Sequence, residues 1–503
     1  MVSWLALCLP ALPLQLAERA LETTQPTVIV EGPAQRPVVA FCNVTAQRVG
    51  IHAGQKLAAA RALARDLHAV ARQPVLEEAA LHELACWAYQ FSGWVSPLQT
   101  PTDSGLLIET GGSARLFEGQ ARLRQRIATG LGGLGYRASF GCAPTPRSAW
   151  LLGQARLHGL TAPEVAQVDA LEAALHPLPL ALTGWPADTL AKLDALGLAT
   201  LGDVLRLPRD AFNKRFGTAL LHDLDQALGK APDPRLPFAP PERFDARIEL
   251  PADLIEAPQL MFPAHRLLRS LEGFLRGRGC GTTSCLLSVH HNSRRAQPIA
   301  ATCIRLDLAT PEREASRLAR LLREHLDRLQ LPEPAVMLSL RVDHLQRFAP
   351  ASASLLPPSP DAPRDDGEWL RLAELLHARL GSERVFQFQL IEDHRPEYAQ
   401  RMVPLAVHAA EPALPTHGAR RPMLLLSEPC PLHEQSEHPE CDGPLTLITG
   451  PERIESGWWD FGRPDRGTVH RDYFVARNPR GQVLWIFREL AAPRGWFLHG
   501  LFA

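Results

Sequence analysis

Short apolar runs alternate with Ala/Leu-rich stretches of helical period through the first 165 residues. A buried strand is expected over residues 4–9. TVIV (27–30), PVVAF (37–41), SGLLIET (104–110) and YRASFGCA (136–143) read as further strands. Residues 57–71, 76–91 and 122–131 read as helices. This mixed order predicts an α+β sheet domain. From 166 to 240 the pattern turns helical, punctuated by Pro and Gly. Residues 241–346 read β-α-β-β-α-β: FDARIEL opens the unit, helices fall near 258–276 and 311–329, and TSCLLSVHH, IAATCIRLDL and AVMLSLRVDHL supply strands.

A Pro/Ser/Ala-rich linker follows at 348–367, then a helix at 368–380. A Pro-rich stretch at about 404–445 separates that helix from a tail rich in Trp, Phe and Gly. The expected units are therefore 1–165 (with an inserted subdomain at about 25–75), 166–240, 241–347, the linker 348–367, a helical and Pro-rich connection 368–445, and a C-terminal domain 446–503. A chain of 503 residues fits several domains at about 150 residues each.

Composition narrows the function only a little. The chain is 46% hydrophobic and 21% charged, the balance of a folded protein. Net charge is −1, so any nucleic-acid contact must come from a local patch. All but four of the 53 basic residues are Arg. Nine scattered cysteines with no CxxC pair predict a reducing, cytoplasmic setting. The apolar N-terminus lacks the basic start of a signal peptide and reads as a first strand.

Several segments resemble the Y-family translesion DNA polymerases, in the family's order of palm, fingers, thumb and little finger. GIHAGQKLAAARAL (50–63) is similar to the fingers segment of that family. SFGCAPTPRSAWLLG (139–153) is similar to its palm strand and turn. LPLALTGWPADTLAKLDALGLATLGDVLRLP (178–208) is similar to its thumb helix-hairpin-helix. Such polymerases need carboxylates that hold two Mg²⁺ ions, which activate the primer oxygen and neutralise the triphosphate. Here the resemblance places Leu9 at the first Asp. Pro13 and Leu14 stand at the steric aromatic pair. Asp103 survives, but Ser104 stands where the neighbouring Glu belongs. Val44 and Gln47 replace the triphosphate-gripping Tyr and Arg, and Pro146 replaces the palm Lys. No catalytic residue, metal or cofactor is expected. Asp103 reads as vestigial, or as a turn residue. An active polymerase with a rearranged metal site, using Asp103, Glu109 or Glu18, is the alternative.

The tail carries a second resemblance. RLGSERVFQFQLIEDHRPEYAQR (379–401), GPERIESGWWD (450–460), RDYFVA (471–476), VLWIFREL (483–490) and GWFLHGLFA (495–503) resemble the ImuB family. The resemblance implies a catalytically inactive, DNA-binding adaptor in translesion synthesis and SOS mutagenesis. It further implies an error-prone replicative-type polymerase α subunit, a RecA-like ImuA protein and the sliding clamp as partners, at the nucleoid.

Within that frame particular residues become candidates. The thumb turn Gly184-Trp185-Pro186, with Thr189, is expected to approach a phosphate, although Pro186 has no N–H to give. The competing reading is a hairpin used only for packing. From 266 to 347 there are 14 Arg and no Lys against 8 acidic residues. Arg276, Arg278, Arg294 and Arg295 are singled out as phosphate contacts beside the strand TSCLLSVHH. In the linker Leu355 and Leu356 form a degenerate clamp-binding peptide that lacks the usual Gln and Phe. Trp458, Trp459, Trp485, Trp496, Phe497 and Phe502 are candidate partner anchors. Alternation puts Trp485 and Phe487 on one inward strand face. Cys430, His433, His438 and Cys441 are of zinc-competent types, but their spacing matches no familiar module and no metal site is assigned.

Overall fold

A computed structural model describes residues 3–19, 25–100, 103–292, 299–348, 367–404, 421–435, 438–460 and 467–502. The chain forms two compact units, Met1–Arg379 and Leu380–Ala503.

The first unit is built on a four-stranded antiparallel sheet in the order Val95–Gln99, Ser104–Glu109, Trp4–Leu9, Ser139–Ala143. Trp4–Leu9 is apolar throughout because both its faces are covered. Leu5, Leu7 and Leu9 pack with the helices Pro74–Ala88 and Gln120–Leu134, while Trp4, Ala6 and Cys8 face the helix Pro146–Leu157. That last helix lies very close to the sheet. A Cβ on Gly141 would stand 2.0 Å from the carbonyl oxygen of Ala149, so only Gly allows the approach.

Beside this palm-like sheet, Val38–Cys42, Thr27–Glu31 and His68–Ala71 make a small fingers-like sheet. The expected helix at 57–71 is shorter than its Ala-rich period suggests. It runs Leu57–Leu63, and His68–Ala71 pairs in parallel with Thr27–Glu31 instead. Tertiary pairing overrides local helix propensity here. The strand Val95–Gln99 escaped the periodic reading because Pro97 interrupts it; it sits at the sheet edge, where Pro is tolerated. Short helices from Leu171–Leu175 to Thr218–Ala227 pack on the helix Pro146–Leu157 through Trp185, Leu193, Phe212 and Leu224.

The β-α-β-β-α-β pattern forms a sheet in the order Thr302–Glu312, Cys280–His291, Ala335–Val342, Phe244–Leu254. Its helices Met261–Gly277 and Ala315–Leu326 cover one face only. The second helix is shorter than the expected 311–329, since Thr302–Glu312 stays extended through Glu312. The helix Met261–Gly277 docks on the palm helices over Trp87, which is wedged where Cβ atoms on Gly130 and Gly273 would otherwise sit.

The sequence groups the helix at 368–380 with the tail, but Gly367–Leu380 belongs to this little-finger-like layer. Buried Glu374 accepts from the Ala309 N–H (2.7 Å) and from Arg317 (2.6 Å), and Ala378 joins the core.

The second unit is an antiparallel sheet in the order Leu424–Pro431, Gly495–Leu501, Val483–Glu489, Val469–Arg477, Thr446–Ser456. A first strand at Leu424–Pro431 corrects the expectation of a connection through 404–445. Main-chain pairing with Gly495–Leu501 draws this Pro-bordered segment into the sheet. Two hairpins stand outside the sheet: Phe386–Leu390 with Gln400–Pro404, and His433–Gln435 with His438–Glu440. Among the described residues no helix is long and apolar enough to cross a membrane.

Candidate nucleic-acid interface

The palm strands meet where the polymerase resemblance calls for metal ligands. In the antiparallel register Leu9 lies directly opposite Ser104, and both are buried. Leu9 belongs to the core cluster that also holds Leu12, Leu81 and Leu84. The neighbouring Cys8 thiol is pushed up by burial and, to a lesser degree, by the Asp103 carboxylate. Asp103 closes the turn between two strands: its N–H donates to Thr100 Oγ1 (2.9 Å), and its carbonyl accepts from the Thr100 N–H (2.8 Å).

The alternative carboxylates do not gather there. Glu109 lies opposite Trp4, five residues along the strand from Ser104, about 16 Å at ~3.3 Å per residue. It accepts from the Gly111 N–H at 2.8 Å. Glu18 accepts from Asn43 (2.8 Å) and pairs with Arg137 (3.2 Å). Among the described residues no three of His, Cys, Asp or Glu converge as a metal cluster. Cys430, His433, His438 and Cys441 fall on and around the hairpin His433–Gln435/His438–Glu440, where His433 faces Glu440 and His438 faces Gln435.

The rest of the nucleotide-gripping positions are equally spent. Buried Pro13 and Leu14 belong to the helix Leu12–Glu18. Val44 and Gln47 lie exposed on Val44–Arg48. Pro146 begins its helix, capped by Thr145. The adjacent cation, Arg147, is occupied with Asp223 (2.7 Å) and the carbonyl of Thr183 (2.6 Å). Asp223 also accepts from Trp185 Nε1 at 2.8 Å. The hairpin turn is thus tied inward: Trp185 is buried, Gly184 is exposed with φ +70°, and the Thr189 N–H is spent on Pro186 O (2.8 Å).

The little-finger-like sheet offers the better surface, because among the described residues no helix covers its second face. Alternation sends Ile248, Leu287, Leu306 and Leu340 to the core and polar residues outward. One cross-strand row reads Asp245, Arg341, Leu286, Arg305; the next reads Arg247, Ser339, Ser288, Cys303. Arg247, Arg305 and Arg341 are all exposed. Arg305 and Arg341 stand two strands apart, about 10 Å. Each pairs with an acidic neighbour two residues on, Asp307 at 3.0 Å and Asp343 at 2.9 Å, and Arg305 also donates to Ser284 Oγ at 3.2 Å. Ser339 meets His290 Nε2 at 2.9 Å.

These three arginines were not singled out from sequence, which weighed helix ends instead. The alternation in ARIEL, CIRLDL and SLRV was the available signal. Arg276 and Arg278 do other work. Arg276 pairs with Glu272 on its own helix (2.5 Å), and Arg278 donates to the carbonyls of Pro240 and Pro241 and lies over the Phe274 ring. Arg294 and Arg295 lie outside the described residues, as do Leu355 and Leu356.

The tail anchors divide in two. Trp485 is 2% exposed and stacks on Tyr473, and Trp496 is buried on the opposite face of the sheet. Phe497 and Phe502 are half-buried against the Trp485 cluster. These four belong to the cores of the sheet, because Val483–Glu489 and Gly495–Leu501, which carry or adjoin them, are inner strands. Trp458 and Trp459 remain exposed, edge to face at 5.5 Å. Beneath them Arg395, 1% exposed, binds Asp393 (2.8 Å) and Asp460 (2.5 Å) and fixes the turn. His499, enclosed by Tyr473, Trp485 and Phe487, is driven down to about 4 by burial.

This chain is 31% identical over 489 residues to the ImuB protein of Caulobacter vibrioides, a match spanning 90% of this chain and 100% of that one. The chain belongs to the ImuB family. Its residues 11–154 also match the family model described as impB/mucB/samB. It is 30% identical over 218 residues to DNA polymerase IV of Ralstonia nicotianae, covering 41% of this chain and 57% of that protein. Among solved structures it is similar to DinB from Sulfolobus solfataricus, with a TM-score of 0.38, 15% identity, and coverage of 68% of this chain and 98% of that one. The fold is α+β and of the Y-family polymerase kind, with an added C-terminal β unit.

Proposed function

We propose that the protein is a non-catalytic adaptor that holds DNA and brings an error-prone replicative-type polymerase and the sliding clamp to damaged sites in SOS mutagenesis. The observation that carries this reading is the register that sets Leu9 against Ser104, an apolar and a neutral residue, at the metal-binding end of the palm. A single carboxylate held in a turn does not hold two divalent ions in place. The protein, freed of other polymerases, incorporates no labelled nucleotide on a primed template with Mg²⁺ or Mn²⁺. Template-directed extension that disappears in Asp103→Ala would instead establish the active-polymerase alternative.

DNA lies across the open face of the little-finger-like sheet. Arg247, Arg305 and Arg341 face the phosphates, with Arg294 and Arg295 in the connection between two of its strands. The support is geometric: a face with exposed guanidiniums and half-buried serines can follow a backbone without reading bases. Binding is sequence-independent, and log affinity falls linearly with log salt. Replacing the three sheet arginines by Ala should lower the magnitude of that slope by about 2–3 on duplex DNA, at about 0.9 per phosphate contact. An unchanged slope in a salt titration moves the contact surface off this face.

The linker peptide around Leu355 and Leu356 is assigned to the clamp. Trp458 and Trp459 are assigned to the polymerase or the RecA-like ImuA partner, because rigid exposed Trp side chains bury large area at little entropic cost. The thumb turn at Gly184 and Thr189 contributes little to DNA binding, since its Trp is drawn into the core. The site of action is the cytoplasmic nucleoid.

A further inference from the structure

The hairpin Phe386–Leu390/Gln400–Pro404 forms a sheet of two strands by itself among the described residues. Two strands alone are marginally stable in water. Phe388 is 67% exposed, and Met402, directly opposite it, is 65% exposed. Phe386 and Leu390 are exposed as well. Residues 385–391, VFQFQLI, contain no charge, Pro or Gly. Natural edge strands avoid that composition, because an open, uncharged apolar edge recruits another strand.

The backbone shows which groups are available. The Ile391 N–H donates to Ala399 O at 2.8 Å, inside the hairpin. By alternation the N–H and C=O groups of Phe386, Phe388 and Leu390 point to the other, unpaired edge. The side chains along that edge have a two-fold pattern centred on Phe388. Laid antiparallel on a second copy, Phe388 meets Phe388, Phe386 meets Leu390, Gln387 meets Gln389 and Val385 meets Ile391. One step further out, Arg384 meets Glu392. Both of these are exposed and form no ion pair among the described residues.

We propose that this edge is a self-association site. A second copy of this chain pairs its own Phe386–Leu390 antiparallel about Phe388, making one four-stranded sheet across a two-fold axis. Three hydrogen-bonded residue pairs give about six main-chain bonds. Phe386, Phe388, Leu390 and Met402 of both copies then share one apolar face, and the glutamines line the other. A one-residue slip would send every side chain to the wrong face, and a two-residue slip would separate Arg384 from Glu392. The charge of the unit argues against nucleic acid as the occupant. From Leu380 to Ala503 there are 13 Arg and no Lys against 16 Asp and Glu, a net charge of −3.

The test is sedentation equilibrium in the form of analytical ultracentrifugation on the full-length protein over a wide concentration range. The wild type should show a reversible monomer–dimer equilibrium. Phe388→Lys sets two cations on the axis and should abolish it. Arg384→Glu and Glu392→Arg should each weaken association by about tenfold or more, and the two together should restore it. Because all three side chains are exposed, circular dichroism should be unchanged. A wild type that stays monomeric overturns the proposal, including the case in which a strand of another protein takes the edge. So does a dimer indifferent to Phe388→Lys. A dimer that the double charge reversal fails to restore overturns the two-fold register.

Discussion

Leu9→Asp, which places a carboxylate where an active palm would need one, should destabilise the first unit by about 3–5 kcal/mol, the range for an uncompensated buried charge. Leu9 is buried in the core cluster that includes Leu12, Leu81 and Leu84, and its cross-strand neighbour is Ser104. Among the described residues the paired strand sets Ser104, and no cation, opposite it, and Asp103 adjoins that neighbour. In a unit of this size the loss lowers the melting midpoint by roughly 4–6 °C. Adding Mg²⁺ should not recover it. Combining Leu9→Asp with Ser104→Glu should still give no nucleotide incorporation, because Val44, Gln47 and Pro146 offer nothing to a triphosphate. Thermal melting followed by circular dichroism decides the matter. If Leu9→Asp melts with the wild type, the end of this strand is solvated, and the metal site has not been absorbed into the core.

That enclosure explains what was legible in the sequence. The positions where the polymerase resemblance calls for ligands, Leu9 and Ser104, are buried, so their chemistry could be weighed from position alone. The order of elements was equally plain where one face of each strand is buried. ARIEL, CIRLDL and SLRV announce strands, and MFPAHRLLRSLEGFL announces an amphipathic helix. Boundaries failed where tertiary pairing competes with local preference. His68–Ala71 continues an Ala-rich run yet is held extended by Thr27–Glu31. Leu424–Pro431 sits among prolines yet borders an inner strand of the tail sheet.

The candidate interface was only half legible. Counting Arg over 266–347 pointed to the little-finger-like layer and to Arg276 and Arg278, which pair with Glu272 and with the carbonyls of Pro240 and Pro241 away from its helix-free face. A charge count carries no direction; strand alternation does, and it marks Arg247, Arg305 and Arg341. The tail illustrates the converse. Aromatic content alone could not separate Trp485 and Trp496, which fill two cores, from Trp458 and Trp459, which a buried Arg395 holds outward. That distinction depends on Arg395 binding both Asp393 and Asp460, which lie 67 residues apart in the chain.

A chain ending at Gly381 should bind primed DNA as the full-length protein does, yet fail to capture a partner polymerase or the RecA-like ImuA protein and fail to support damage-induced mutagenesis. The cut follows from the fold. Ending the chain before residue 446 would remove four of the five strands of the tail sheet and strand Leu424–Pro431 without a neighbour. Ending it at Gly381 keeps Gly367–Leu380, whose Glu374 is bound to Ala309 and Arg317 in the core of the first unit. The arginines proposed to face DNA all lie before the cut. Point variants then separate contact from scaffold. Trp458→Ala with Trp459→Ala removes two exposed side chains and should cost partner binding about 2 kcal/mol or more at constant melting temperature. Trp485→Ala opens a cavity beside Tyr473 and should cost about 3–5 kcal/mol of stability. Pull-down with purified partners, melting curves and mutation frequency after damage read the three effects apart. If the shortened chain still captures both partners and sustains mutagenesis, recruitment resides in the first unit. If the shortened chain fails while the Trp458/Trp459 variant binds normally, the tail recruits through another of its surfaces.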